Sequence, residues 1–475
     1  MNGFKRLARR GTSASKILLG TVLTLLLPFF CVSCASRYAE HLRDVRRDYY
    51  EFGDLSKTKD DVERRQKRAP QKEQAVLALN AASLALSSGE IDDAKSNLLA
   101  VRDEFDELET QRAKLGAENV LTLWTDDNTK SYEGEDYEKI MIRATLAIAD
   151  LLDGGKDARA FAYQIAAKQD EIVRGGETDD PQNSGKKYNP KKNYPRVPLG
   201  PYIEGLLWEE SYANQSEAAR CYEKVVKWRP DFKQGKADLL RAQKSVHSQP
   251  GFGRVYVFAF VGRGPRKEQV YEPVSQVSLL IADQIFSAVN KYSVPPTVAP
   301  VPIPALVEDE PRIACVACDL DGARQATTET LADVNEMARK QFEATKDQIL
   351  AKAVIRRVVK KSTIYVAKEA GRVNGWISLA ADVGGVVWEA TETADTRCWG
   401  LLPAEIQVAS FEAPVGKHKI TFYPGDGRGE KIGDSLSKTI KVDANRNTYV
   451  LVNYPDREPI GTIISSDDPR KESAE

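Results

Sequence analysis

Histidine is nearly absent from this chain. Its three copies, His41, His247 and His418, fall in separate segments with no partner at ligand spacing, which sets aside imidazole-based metal centres. Cysteine is scarce as well. Two of the six, Cys31 and Cys34, belong to an N-terminal apolar run, and Cys221, Cys315, Cys318 and Cys398 lack the paired spacing of a zinc site. Cys315-x-x-Cys318 lies in a strand-like run, where residues three apart point to opposite faces, so buried or bridged cysteines are the reading; in an oxidising compartment the four allow three full pairings. There is no excess of charge of either sign, with 68 Lys and Arg against 69 Asp and Glu, and nothing in that balance calls for nucleic acid. No nucleophile elbow or phosphate-cradling glycine loop stands at a strand–helix junction; VGRGPRKE has its glycines after a strand but opens no helix. The sequence thus predicts no catalytic residues, no metal and no cofactor.

What is present begins with an address. Lys5, Arg6, Arg9, Arg10 and Lys16 precede ILLGTVLTLLLPFF and then CVSCAS, the charged, apolar and small-residue parts of an export signal. Ser33-Cys34 has the form of a lipoprotein signal-peptidase site, which makes Cys34 the lipidated first residue of the mature protein. Cys31 stands where leucine is usual, three residues before the modified cysteine, and is itself a poor acceptor after the bulky Phe30. The other reading of Ile17 to Ala35 is an uncleaved signal anchor, since 19 mostly apolar residues just reach across a bilayer. Cleavage leaves a mildly acidic mature chain. Ala35 lacks the aspartate that holds lipoproteins at the inner membrane, so the expected location is the cell envelope, facing the periplasm from the outer membrane.

The body divides by hydrophobic period. Residues 34–68 are dense in charge and read as a tether on the lipid anchor. From 69 to 250 the period is helical, and LGPYIEGLLWEESYANQSEAARCYEKVVKWRP, Leu199 to Pro230, reads as a helix-turn-helix unit of about 34 residues. Tyr202, Ala218 and Tyr222 then take the large, small and aromatic positions of a tetratricopeptide repeat, and Pro230 closes it. A second copy runs from Ala75 to Leu108 through Gly89, Ala94 and Leu98, and a weaker one from Tyr137 to Gln169. The plainer alternative is an ordinary amphipathic hairpin. In such arrays the first helix of each unit lines a concave groove, so Ile203, Leu207, Glu210 and Ser211 are the candidate partner-binding residues, with core packing as the competing role.

Residues 175–201 lose the helical period and read as a linker. At Arg254 the pattern turns to VYVFAFVGRGP, a strand; from 251 to 460 the chain reads as a mixed domain. It has a helix at Gln276 to Tyr292, a proline-rich extended segment, a strand at RIACVACDL, two long helices from Thr328 to Glu369, a third from Trp376 to Thr391, and four closing strands. On the basic helix from Lys352 to Lys361, Arg356, Arg357, Lys360 and Lys361 read as a solvated face or as one that rests on anionic head groups. Trp399 and Leu402 read as a plug between the last helix and the sheet. Residues 461–475 read as a disordered tail. The fold class expected is α+β: tetratricopeptide-like helices, then a mixed domain with a small antiparallel sheet or sandwich.

SYEGEDYEKIM, the strand with GRGPRKE, the basic helix AKAVIRRVVKK, and ADTRCWGLLPAEIQVA followed by APVGKHKI occur in an order that resembles a family of bacterial lipoproteins in which a lipobox precedes tetratricopeptide-like helices and a mixed domain. The resemblance spans most of the chain after Cys34. It brings no established catalytic residues, and the family's occurrence beside lipoprotein activators of cell-wall synthases implies an envelope role. The expected function is a lipid-anchored scaffold or adaptor that binds a protein partner; the alternative is an envelope enzyme or peptidoglycan-binding protein with its site in the mixed domain.

Overall fold

The structure, a computed structural model, describes residues 33–114, 130–183, 185–289, 299–370 and 393–468. The export signal and the helix expected at Trp376 to Thr391 lie outside the described residues, apart from Ser33. In chain order the first elements are α1 (Ser33–Tyr50), α2 (Leu55–Gln66), α3 (Gln71–Ser88), α4 (Ile91–Lys114), α5 (Asp136–Leu152) and α6 (Ala158–Arg174). A two-residue ribbon, β1 (Thr178–Asp179) with β2 (Lys187–Tyr188), interrupts the linker before α7 (Leu199–Glu209), α8 (Gln215–Trp228) and α9 (Lys233–Gln243). Then come β3 (Phe252–Val261), β4 (Arg266–Glu272), α10 (Gln276–Val289), β5 (Val301–Val307), β6 (Cys315–Leu320), β7 (Ala323–Thr327), β8 (Glu329–Asp333) and α11 (Val334–Ala370). The chain closes with β9 (Glu405–Pro414), β10 (Gly416–Gly425), β11 (Leu436–Val442), β12 (Asn447–Tyr454) and β13 (Ile464–Ser465). Helices first and strands after make the fold α+β.

Three layers organise these elements. A five-stranded sheet, ordered β13-β12-β3-β9-β8, carries helices on one face and a four-stranded sheet, ordered β11-β10-β6-β7, on the other. The alternation of β3 shows why both faces close. Tyr256 and Phe258 join the core shared with the helices, while Val255, Val257, Ala259 and Val261 join the core between the sheets. Along β12, Tyr449 and Leu451 face the helices, and Val450, Val452 and Tyr454 face the second sheet. The expected antiparallel sheet is mixed, because β12 pairs with β3 in parallel, Asn447 opposite Arg254 through Tyr454 opposite Val261. A strand paired in parallel and buried on two faces takes apolar residues at consecutive positions, as β3 does.

On the helical side α5 is the axis. Every residue from Asp136 to Leu152 is buried, so its apolar content is not confined to one stripe, as befits a helix surrounded by neighbours. The hairpins α3/α4 and α7/α8 fall at Ala75 to Leu108 and within Leu199 to Pro230, with Gly89 in the left-handed conformation at the turn and Ala94, Leu98, Tyr202, Ala218 and Tyr222 fully buried.

Four expectations need correction. Residues 38–66 are no exposed tether: Tyr38, Leu42, Val45 and Tyr49 recur at helical spacing along α1 and are buried, and Tyr38 Oη donates to the Cys398 carbonyl. Charge masked a sparse but sufficient apolar stripe. The stretch from Thr328 to Glu369 is a short edge strand followed by one helix rather than two helices. Ile463 and Ile464 of the expected tail are buried, and β13 adds an edge strand to β12. One hydrophobic core runs from Tyr38 to Ile464, so the change of period near residue 250 separates types of element and not cores.

Candidate functional site

The protein's own side chains converge on the end of α7, just before Glu210 and Ser211. Glu209, at the end of α7, accepts a hydrogen bond from Tyr222 Oη at 2.9 Å and others from Tyr256 Oη of β3 and from Arg241 of α9. Asp238 accepts from Tyr202 Oη at 3.0 Å and pairs with Arg241. Glu209 and Asp238 keep 1% and 0% of their surface, so two acids, one arginine and three tyrosines form a buried joint between the helices and the central sheet. Of the four candidate residues, Ile203 is fully buried and Leu207 packs against the core. Glu210 accepts the backbone N–H of Asn447 at 2.7 Å, and burial raises its carboxyl pKa. Ser211 is half-buried and accepts at its hydroxyl from Asn214 Nδ2 at 3.1 Å. Ile203 and Leu207 thus belong to the core, and Glu210 is tied to β12.

The structure instead brings together four of the five sequence segments that define the family resemblance. SYEGEDYEKIM enters α5, GRGPRKE places Lys267 at the start of β4, AKAVIRRVVKK lies on α11, and ADTRCW leads into β9; together with the Pro302-Ile303-Pro304 stretch of β5 they wall a cleft of about 460 Å³. Eight cationic and four acidic side chains line it. Gly134 makes the turn into α5 with φ +70°, and a Cβ there would stand 2.3 Å from the Phe105 ring, so that turn admits no side chain.

Behind the inner wall, Glu138 is the hub. It keeps none of its surface and accepts from the backbone N–H of Glu135 at 2.9 Å, the backbone N–H of Trp399 at 2.6 Å and Tyr132 Oη. Burial, followed by the neighbouring Glu135 charge, raises its pKa. Glu135 faces the cleft and is held by Lys267 Nζ at 2.7 Å and Gln341 Nε2 at 2.7 Å. Burial pushes its pKa up, but the Lys267 ammonium outweighs that and the net shift is downward. Lys267 is pulled down by burial and more than restored by Glu135 and Asp395. Arg397 pairs with Asp395 at 2.7 Å and donates to the carbonyls of Lys72 at 2.6 Å and Lys130 at 3.0 Å. The Tyr132 ring lies 5.7 Å from Lys267 Nζ and 5.4 Å from the Arg397 guanidinium, so two cations meet one aromatic ring.

The outer wall is one face of α11, with Gln341, Thr345, Gln348, Ile349, Lys352, Ala353 and Arg356 at helical spacing. Here the expected solvated or head-group-binding basic face is not what Arg356 and Arg357 form. Both are buried, and their guanidinium groups donate to carbonyls of the proline-rich segment: Arg357 to Ala299 at 2.8 Å and Pro300 at 3.1 Å, and Arg356 to Pro302 at 3.5 Å. Proline supplies acceptors without competing N–H donors, which suits it to this fastening. Trp399 is buried as expected, but its Nε1 donates to Ser83 Oγ of α3 at 2.8 Å, so it plugs the sheet against α3.

Glu138, the carboxyl with the raised pKa, does not line the cleft, and Glu135, which does, is held ionised in a paired geometry. Cys221, Cys315, Cys318 and Cys398 are free and buried, and burial pushes the Cys398 thiol up to about 11 and the Cys221 thiol to about 12. Cys34 lies at the start of α1 by its backbone. No family, curated protein or solved structure matches this chain.

Proposed function

We propose that this protein is a lipid-anchored component of the bacterial cell envelope, attached through Cys34 and facing the periplasm from the outer membrane, that binds a protein partner and catalyses no reaction. In this reading the tetratricopeptide-like hairpins are a scaffold, and recognition belongs to the charged cleft. The observation that carries it is the convergence of remote segments on one polar cleft in which Lys267, Arg397 and Arg356 are largely withheld from water. Buried ion pairs contribute little net stability compared with packed apolar residues, so their concentration at one cleft speaks for a role in recognition. The Ser33-Cys34 site supports the anchor.

A photo-reactive residue placed at Gln348, on the cleft wall, should capture a discrete partner in intact cells, while the same residue at the exposed Tyr163 of α6 should not. Capture of identical proteins from both positions would remove the cleft from the account. Independently, Cys34→Ser should abolish lipid labelling; an unchanged membrane fraction with an intact N-terminus would establish the signal anchor instead.

A further inference from the structure

The two ends of the cleft differ. At the inner end three ion pairs close: Glu135 with Lys267, Asp395 with Arg397, and Asp136 with Lys191 at 2.6 Å. At the α11 end Arg356, 8% exposed, keeps a buried Nε–H with no hydrogen-bond partner, and its one described bond is the long contact to the Pro302 carbonyl. A buried donor left without a partner is costly, and more so on a charged group. Lys352 stands one turn earlier on the same face, and Ile303, Pro304, Ile349 and Ala353 supply apolar surface beside the two. The acids of the opposite rim are already engaged, Glu133 with Arg112 at 2.7 Å and Asp136 with Lys191, so they do not compete for Arg356.

Resting on the proposal that the cleft binds a partner, the geometry points to the segment it takes: an extended peptide with a single carboxylate side chain next to an apolar one. The carboxylate turns the Arg356 guanidinium toward the cleft and satisfies it in a charge-assisted pair, Lys352 adds a second cation, and the apolar neighbour lies on Pro304 and Ile349. The outer edge of β5 does not template a strand, since Pro302 and Pro304 have no N–H, so side chains and not backbone pairing carry recognition.

The test is calorimetric titration of the full chain with acetyl-Ala-Leu-Glu-Ala-amide and with its Gln counterpart, at two salt concentrations. The acidic peptide should bind about tenfold or more tightly, as a charged hydrogen bond implies, and its advantage should shrink with salt. Arg356→Lys should lose most of that advantage while the melting temperature stays near the parent's, and Lys352→Gln should lose part of it. If Arg356→Lys unfolds the chain, Lys352→Gln decides alone: an undiminished preference overturns the proposal. Equal binding of both peptides overturns the carboxylate inference while leaving the cleft as a binding site. Binding of neither, with partner capture at Gln348 intact, also overturns it; loss of both overturns the reading beneath it.

Discussion

Replacing Lys267 by Met removes the cation that holds Glu135. The pair is 2.7 Å apart, with Lys267 at 10% and Glu135 at 32% side-chain exposure. Breaking a fully buried pair costs about 3–5 kcal/mol, because the abandoned charge stays out of water. Glu135 keeps a third of its side chain in solvent and retains Gln341 as a donor, so screening reduces the expected loss to about 2–3 kcal/mol. Glu135→Gln leaves Lys267 with Asp395 nearby and should cost somewhat less. In the double variant the two losses should fall short of additivity by about 1–2 kcal/mol, which is the coupling of the pair. Denaturant midpoints followed by tryptophan fluorescence measure all three. The pH dependence gives an independent check. Glu135 has its folded pKa below the ordinary 4.5, so its contribution is fully present above that value and lost as pH falls through the lowered one. Lys267→Met should flatten that acid-side slope. Strict additivity together with an unchanged slope would refute the reasoning, since Lys267 would then not be what holds Glu135 ionised.

Gly461 and Gly251 both adopt positive φ, +83° and +80°, but a Cβ on Gly461 would lie 1.9 Å from the Ser87 carbonyl oxygen while one on Gly251 meets nothing within 4 Å. Gly251→Ala should therefore cost only the backbone penalty of about 1–2 kcal/mol, and Gly461→Ala distinctly more; equal melting temperatures would contradict the docking of α3 on the C-terminal segment. Glu210→Lys should destabilise by about 1–3 kcal/mol in thermal melts, because it removes an acceptor from Asn447 and sets a cation beside Arg446; a stability-neutral variant would return Glu210 to an open groove. A thiol reagent added to the native protein should leave Cys318 and Cys398 unmodified until denaturant is present; prompt labelling would contradict their burial.

Local residues disclosed the elements better than their assembly. Tyr202, Ala218 and Tyr222 announced a helical hairpin because packing across a short turn is encoded within a few turns of helix. β3 announced a strand by its β-branched and aromatic run, yet a strand buried on both faces has no alternation to show which layer each side chain meets. That Ile203 packs in the core shared with the central sheet and Glu210 bonds to β12 is a tertiary fact, which helical spacing alone does not disclose. The cleft was legible only in pieces. Lys267 and Glu135 lie 132 positions apart, and each alone reads as an ordinary solvated charge. The motifs that carried the family resemblance were the only trace of it, and periodicity could not say that four of them meet.

The parallel pairing of β12 with β3 also sets an order of events. Its partners are Arg254–Val261 and Asn447–Tyr454, far apart in sequence, so the central sheet cannot gain this neighbour until Tyr454 has emerged. Until then β3 offers an unpaired apolar edge flanked by two faces that later become core, the kind of surface that joins other chains when left waiting. A long-range parallel contact is slow to close because its loop entropy is lost before the pairing rewards it. Biosynthesis of this protein therefore includes an interval of exposure that ends only with Asn447–Tyr454, and any fragment stopping short of that strand keeps the hazard permanently.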